Sequence, residues 1–197
     1  MKDDYLEGAL IVANDFLGSG YRKRLCGIIP LAWLPMTMTE FQQSFATEDA
    51  KSASAVAIRS SDQKIVGFVH MTDGSATSTT MWRDSISKRL HPSVPGECYI
   101  EMLCVLSEAQ GKGIGSKLLQ FAEDRARERH AHRLALGVVT NNPAIRLYLR
   151  FGFVVDDDHH QGCGSQCNLF TTLFCIMGCP HGRCGGISMV KDLQSST

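Results

Sequence analysis

Apolar residues change their spacing along this chain, and each change marks an element. Between residues 4 and 17, Leu6, Leu10, Ala13 and Leu17 share one helical face, and Gly18, Ser19 and Gly20 stop the run. Residues 21–35 are apolar without a period and are broken by Pro30 and Pro35, which predicts a packed connector. A second helix carries Phe41 and Phe45, with Thr37 or Thr39 as its cap and Glu40 placed as in a capping box. Residues 55–59 and 64–71 then read as two strands of a hairpin around a turn at 60–63, with Gly67 marking a bulge. A polar stretch of low hydrophobicity, read as a long loop, follows over 73–96.

The central pattern runs from strand to helix. Residues 99–106 are apolar apart from Glu101. A run of small residues follows over 110–116. Ile114, Leu118, Leu119, Ala122 and Ala126 then repeat at helical spacing, leaving Lys117, Gln120, Glu123, Asp124, Arg127 and Glu128 as the wet side. Residues 134–139 predict a short buried strand. Asn141 and Asn142 are candidate caps of a further helix, Pro143 suits its first turn, and Ala144, Leu147, Tyr148 and Phe151 share a face that Gly152 terminates. Residues 187–193 alternate as a last strand, paired with the one near 153–155 across an insertion.

A strand feeding a glycine loop that opens a helix is a phosphate cradle. Bare amides point outward where the helix dipole is positive. Two common phosphate motifs fail on spacing, because Ser116 stands where the P-loop and the dinucleotide fingerprint each require glycine. The pattern [QR]xxGxG is met by Gln110, Gly113 and Gly115, and N-x-x-A-x-x-x-Y-x-x-x-G-F is met from Asn141 to Phe153.

Over about residues 55–155 these motifs resemble the GNAT superfamily of N-acetyltransferases. The resemblance implies an α/β fold with a mixed, mostly antiparallel sheet splayed between strands 99–106 and 134–139. It implies acetyl-CoA as co-substrate and direct acetyl transfer to a primary amine. Gly111, Lys112, Gly113, Ile114, Gly115 and Ser116, with Gln110, would hold the pyrophosphate. Leu103, Cys104 and Val105 would run beside the pantetheine arm, and Asn141 would contact CoA. Tyr148 matches a general acid toward the CoA sulfur; its ordinary pKa near 10 suits an alkyl thiolate. Packing on the sheet is the alternative role for Tyr148, as plain capping is for Asn141. Cys104 reads as a small core residue, since no basic neighbour in sequence activates it.

An amine arrives largely as ammonium, so a base is needed. Glu101 is the first candidate: the two-residue period places it on the face of Val105, though an ion pair at the sheet surface would also account for it. Glu97 and the His159–His160 pair are weaker candidates. The family's acceptor loops lie where residues 21–35 fall, and its usual first strand is not found here.

Composition adds less. At 197 residues the chain predicts one domain over 1–197, with its core at about 53–155. Net charge is +0, which favours neither nucleic acid nor an anionic membrane. No apolar run reaches spanning length and no secretory signal is evident. The 8 cysteines lack a disulfide framework, which predicts a reducing, cytoplasmic setting. An insertion at about 159–186 gathers Cys163, Cys167, Cys175, Cys179 and Cys184 with His159, His160 and His181. Free thiols on a packed element are the first reading, with no metal expected. Zinc, or membrane contact through residues 169–177, are the alternatives. Asp156, Asp157 and Asp158 read as a solvated acidic turn. The amine acceptor is left open, as is a homodimer. The rival functions are a non-catalytic acyl-CoA-binding module on the same fold and a zinc-dependent interaction protein.

Overall fold

A computed structural model of the chain describes residues 1–15, 37–45, 47–73, 94–139, 142–156 and 186–193. Helix α1 spans Leu6–Asp15 after a 3-10 turn at Asp3–Tyr5, and α2 spans Met38–Ser44. A short helix α3, Glu48–Ser52, was not expected. Thr47 caps it, its hydroxyl accepting from the Ala50 amide at 3.2 Å. Strands β1 (Ser54–Ile58), β2 (Ile65–Asp73) and β3 (Glu97–Val105) follow. A 3-10 turn at Ser107–Ala109 leads to α4, Ile114–Glu128. Strand β4 (Arg133–Val139), helix α5 (Ile145–Arg150), and strands β5 (Val154–Val155) and β6 (Gly186–Asp192) complete the described elements.

The strands form one six-stranded sheet in the order β1-β2-β3-β4-β6-β5. Every pair is antiparallel except β3 with β4. This is the α/β, mostly antiparallel architecture expected from the sequence. No strand precedes α1 among the described residues, so β1 begins the sheet. The last strand forms as expected: β6 pairs with β4 along its length and with β5 at Val154 and Val155.

Helices cover both faces. α1 and α2 bury Ala9, Leu10, Val12, Ala13, Phe41 and Phe45 against Val66, Phe68 and Cys104. α4 buries Leu118, Leu119, Ala122 and Ala126 against Val69, Met71, Ile100, Leu134 and Met189. Each such large side chain contributes roughly 1.5–3 kcal/mol. Gly67 is where α4 sits down on the sheet: a Cβ there would lie 3.0 Å from Ile114 and 3.1 Å from Leu118. A register shift at Ala57/Ile58 falls beside it, as a bulge at Gly67 predicts.

Glu123 departs from the sequence reading. It is 8% exposed and not on the wet face, because the C-terminal strand returns over it. Lys191 Nζ lies 2.6 Å from Oε2 and Arg127 2.8 Å from Oε1. Burial raises the carboxyl pKa, but the hydrogen bonds from Lys191 and Arg127 outweigh it and hold the group below 4.5. Lys191→Met is expected to cost about 1–3 kcal/mol near neutral pH. A depressed carboxyl contributes above its unfolded pKa and loses that contribution as pH falls through the folded value. The variant should therefore approach the wild type in stability only as pH falls through that depressed folded value. Urea unfolding at both ends of that window checks it.

Asp156 also departs from expectation. It is buried (5% exposed), its amide donating to the Ser188 carbonyl at 2.9 Å, rather than forming part of a solvated turn.

Candidate functional site

Strands β3 and β4 are paired only from Glu97–Arg133 to Ile100–Leu136. Beyond that, β3 from residue 101 to Val105 stays with β2, while β4 from Gly137 to Val139 stays with β6. The two strands part, and their facing backbone edges are left without a ladder. The mouth of this opening lies beside the start of α4. Tyr99 bridges its closed end through a hydrogen bond to the backbone of Gly137, with burial and the charge of Glu101 raising its hydroxyl pKa.

The glycine loop stands at that mouth. Gly111 and Gly113 have φ of +75° and +79°, a left-handed conformation that L side chains rarely adopt. A Cβ on either would meet nothing within 4 Å, so the loop surface is open. Gly113 caps α4 with no side-chain hydrogen bond, leaving the first-turn amides free of a capping side chain. Gln110 Nε2 donates to the Val105 carbonyl at 3.0 Å and so ties the loop to the end of β3. Lys112 Nζ donates to the Glu108 carbonyl at 3.1 Å, folded back on its own loop. Ile114 and Ser116 are half-buried in the first turn. A Cβ on Gly115 would lie 2.9 Å from Leu147 Cδ2, so this glycine lets α5 approach α4.

Helix α5 carries Tyr148, which is 7% exposed and packs edge-on to Phe153 at 6.0 Å. Its position is fixed by the helix terminus. Gly152, at φ +93°, donates to Leu149, and Phe153 donates to Tyr148. At the other end Asn142 Oδ1 accepts from the Ala144 amide at 3.0 Å. Asn141 lies outside the described residues, as do His159, His160 and the cysteine-rich insertion up to residue 185.

Glu101 lies where the strands begin to part, and a bulge sets its direction. His70 pairs with Met102 and Met71 with Ile100, so Glu101 is the extra residue on β3. The bulge reverses the alternation. Leu103 packs with the α4 core, whereas Glu101 turns to the α1–α2 side, beside His70. This corrects the two-residue period that put Glu101 on the face of Val105. Its side chain is 27% exposed, although the residue as a whole is exposed. Thr72 Oγ1 donates to Oε1 at 3.2 Å, and His70 Nε2 stands 3.9 Å from Oε2. His70 in turn lies 2.8 Å from Ser54 Oγ.

His70, Ser54 and Thr72 were absent from the sequence-level site. A signal was there: Val66, Phe68 and His70 alternate, so His70 is a polar group on an otherwise apolar stripe. Glu97, the second candidate base, is not brought to the opening. It is 1% exposed at the paired end of β3. Cys104 is buried in the core, and burial raises its thiol pKa, as expected of a packing residue. Cys98 is likewise pushed up to about 11 by burial and by Asp73. Among the described residues, no group of His, Cys, Asp or Glu could hold a metal ion, and no helix is long and apolar enough to cross a membrane.

The model of the acetyltransferase (GNAT) family matches residues 24–153. The chain belongs to this family. A curated streptothricin acetyltransferase from Streptomyces lavendulae is 34% identical over 137 residues, 68% of this chain and 61% of that protein. The chain therefore spans less than two thirds of that relative. A ribosomal-protein-alanine N-acetyltransferase from Brucella melitensis superposes with a TM-score of 0.62 at 20% identity, over 98% of this chain and 97% of its own. The PaiA N-acetyltransferase of Thermoplasma acidophilum, solved with coenzyme A, gives 0.57 at 16% identity over 98% and 95%. At these identities what is shared with the two structures is the GNAT fold.

Proposed function

We propose that this GNAT chain transfers the acetyl group of acetyl-CoA directly to a primary amine. One observation carries the reading: the β3–β4 opening runs from an open glycine loop at a helix start to a carboxylate on a bulge. The loop 110–116 would take the pyrophosphate on backbone amides, with Lys112 adding charge once released from Glu108. The open edge at Leu103, Cys104 and Val105 would run beside the pantetheine arm as a further strand does, and Asn141 would contact CoA, as the resemblance to the family motif implies.

Glu101 takes a proton from the incoming ammonium, giving a neutral amine. The amine attacks the thioester carbonyl, the C–S bond breaks, and the thiolate takes a proton from Tyr148. The phenol recovers its proton from the nitrogen of the new amide by way of solvent. The balance is one acetyl group moved, one thiol formed and one proton released. Residues 1–197 act in this reading as one unit, with the insertion at about 159–186 outside the chemistry.

The test is mass-spectrometric detection of acetylated product from acetyl-CoA across a panel of amines. Streptothricin leads the panel because a relative bears its name; peptide N-termini, lysines, polyamines and aminoglycosides complete it. Tyr148→Phe should lower turnover about 10- to 100-fold with acetyl-CoA binding retained. Thermal stabilisation by acetyl-CoA without turnover of any amine would favour a binding module instead.

A further inference from the structure

Ser54 has one hydroxyl proton, and its destination is fixed. Oγ lies 2.7 Å from the Ala50 carbonyl and 2.8 Å from His70 Nδ1. A carbonyl oxygen can only accept, so the hydroxyl donates to Ala50 and accepts from His70. The imidazole is therefore the Nδ1–H tautomer. The ring is buried, 8% exposed, with Phe45 edge-on at 4.8 Å. Burial, helped by the Arg129 charge, takes its pKa down to about 4, so the ring is neutral and Nε2 carries only a lone pair. The charged groups bearing on it are Glu101 from β3 and Arg129 after α4, itself 2.6 Å from Asp49.

This bare nitrogen faces Glu101 Oε2 at 3.9 Å. It has nothing to donate to a carboxylate, but it can accept from a carboxylic acid. Thr72 donates to Oε1, and Oε2 is the oxygen that faces Nε2 and on which a proton would meet it. The arrangement is complementary to protonated Glu101, the form that exists just after an amine has been deprotonated. Resting on the reading of Glu101 as base, we infer that His70, locked by Ser54, is a positioning residue that accepts a hydrogen bond from Glu101 once Glu101 holds the substrate's proton. The N–H bond of the ammonium breaks, the Oε2–H bond forms, and that hydrogen is then shared with His70 Nε2, closing the gap to about 2.7 Å. No redox partner is involved.

Two substitutions separate the two ring nitrogens. His70→Asn keeps an amide near Nδ1 for Ser54 and removes Nε2; His70→Gln puts an amide oxygen near the Nε2 position. The acid limb of the kcat/KM profile reports ionisation of the base. In His70→Asn it should move down by about one pH unit, and the plateau should fall up to about tenfold. His70→Gln should recover most of both. A His70→Asn profile superimposable on wild type, with Glu101→Gln inactive, overturns the inference and leaves the base intact. Glu101→Gln as active as wild type removes the base reading itself. Nitrogen-15 spectra of the wild-type imidazole give a readout independent of activity and of variant folding. An unprotonated Nε2 is expected, and a protonated one overturns the inference.

Discussion

Replacing Glu101 with Gln is expected to lower kcat/KM for the amine by about 10²–10⁴-fold while the thermal stabilisation by acetyl-CoA is unchanged. Gln is nearly isosteric and still accepts from Thr72, whose hydroxyl lies 3.2 Å from Oε1, so the bulge and its neighbours should survive. What disappears is the ability to take a proton. The loss should shrink as pH rises toward the amine's own pKa, about 10.4 for a lysine-like amine, because neutral amine then arrives unaided. Initial rates from product mass, measured from near-neutral to alkaline pH, check both statements. A constant ratio of wild-type to variant rates across that range would remove Glu101 from proton transfer.

Gly113→Val should weaken acetyl-CoA binding about tenfold or more, a difference of about 1.4 kcal/mol. The effect is one of backbone and not of crowding. A Cβ at this position meets nothing within 4 Å, but φ is +79°, which a β-branched residue holds only at a cost of roughly 1–3 kcal/mol. The chain relieves that cost by rotating the loop, which turns the first amides of α4 away from the opening. Titration calorimetry with acetyl-CoA reads the affinity, and thermal unfolding without ligand reads the strain. Unchanged affinity beside a lowered melting temperature would mean that these amides do not hold the ligand.

The packing of Tyr148 is compatible with the acid role proposed for it. The ring rests on Phe153, and the glycine-terminated end of α5 fixes the turn that holds it. Its buried setting makes it a core residue whatever its chemistry. The phenylalanine variant keeps that packing and removes only the hydroxyl, so its kinetics and not its stability are informative.

Local pattern alone determined much of this protein. The face of α4 was legible because Leu118, Leu119, Ala122 and Ala126 repeat at the helical period. The hairpin was legible because turn residues separate two β-rich runs, and the glycine loop because Gly113 needs a backbone that other residues avoid. These are properties of short segments, set by sterics within a few residues. The tertiary structure decided what depends on partners far away in sequence. Glu123 reads as wet within its helix and is buried only because Lys191 arrives from the last strand, 68 residues on. Glu101 reads as facing Val105 until the pairing of β2 with β3 inserts a bulge and turns it to His70. The tautomer of His70 follows from a carbonyl in α3, a helix too short to announce itself. Periodicity states which side of its own element a residue occupies. It does not state where the register slips, or which charge from another strand waits on the far side.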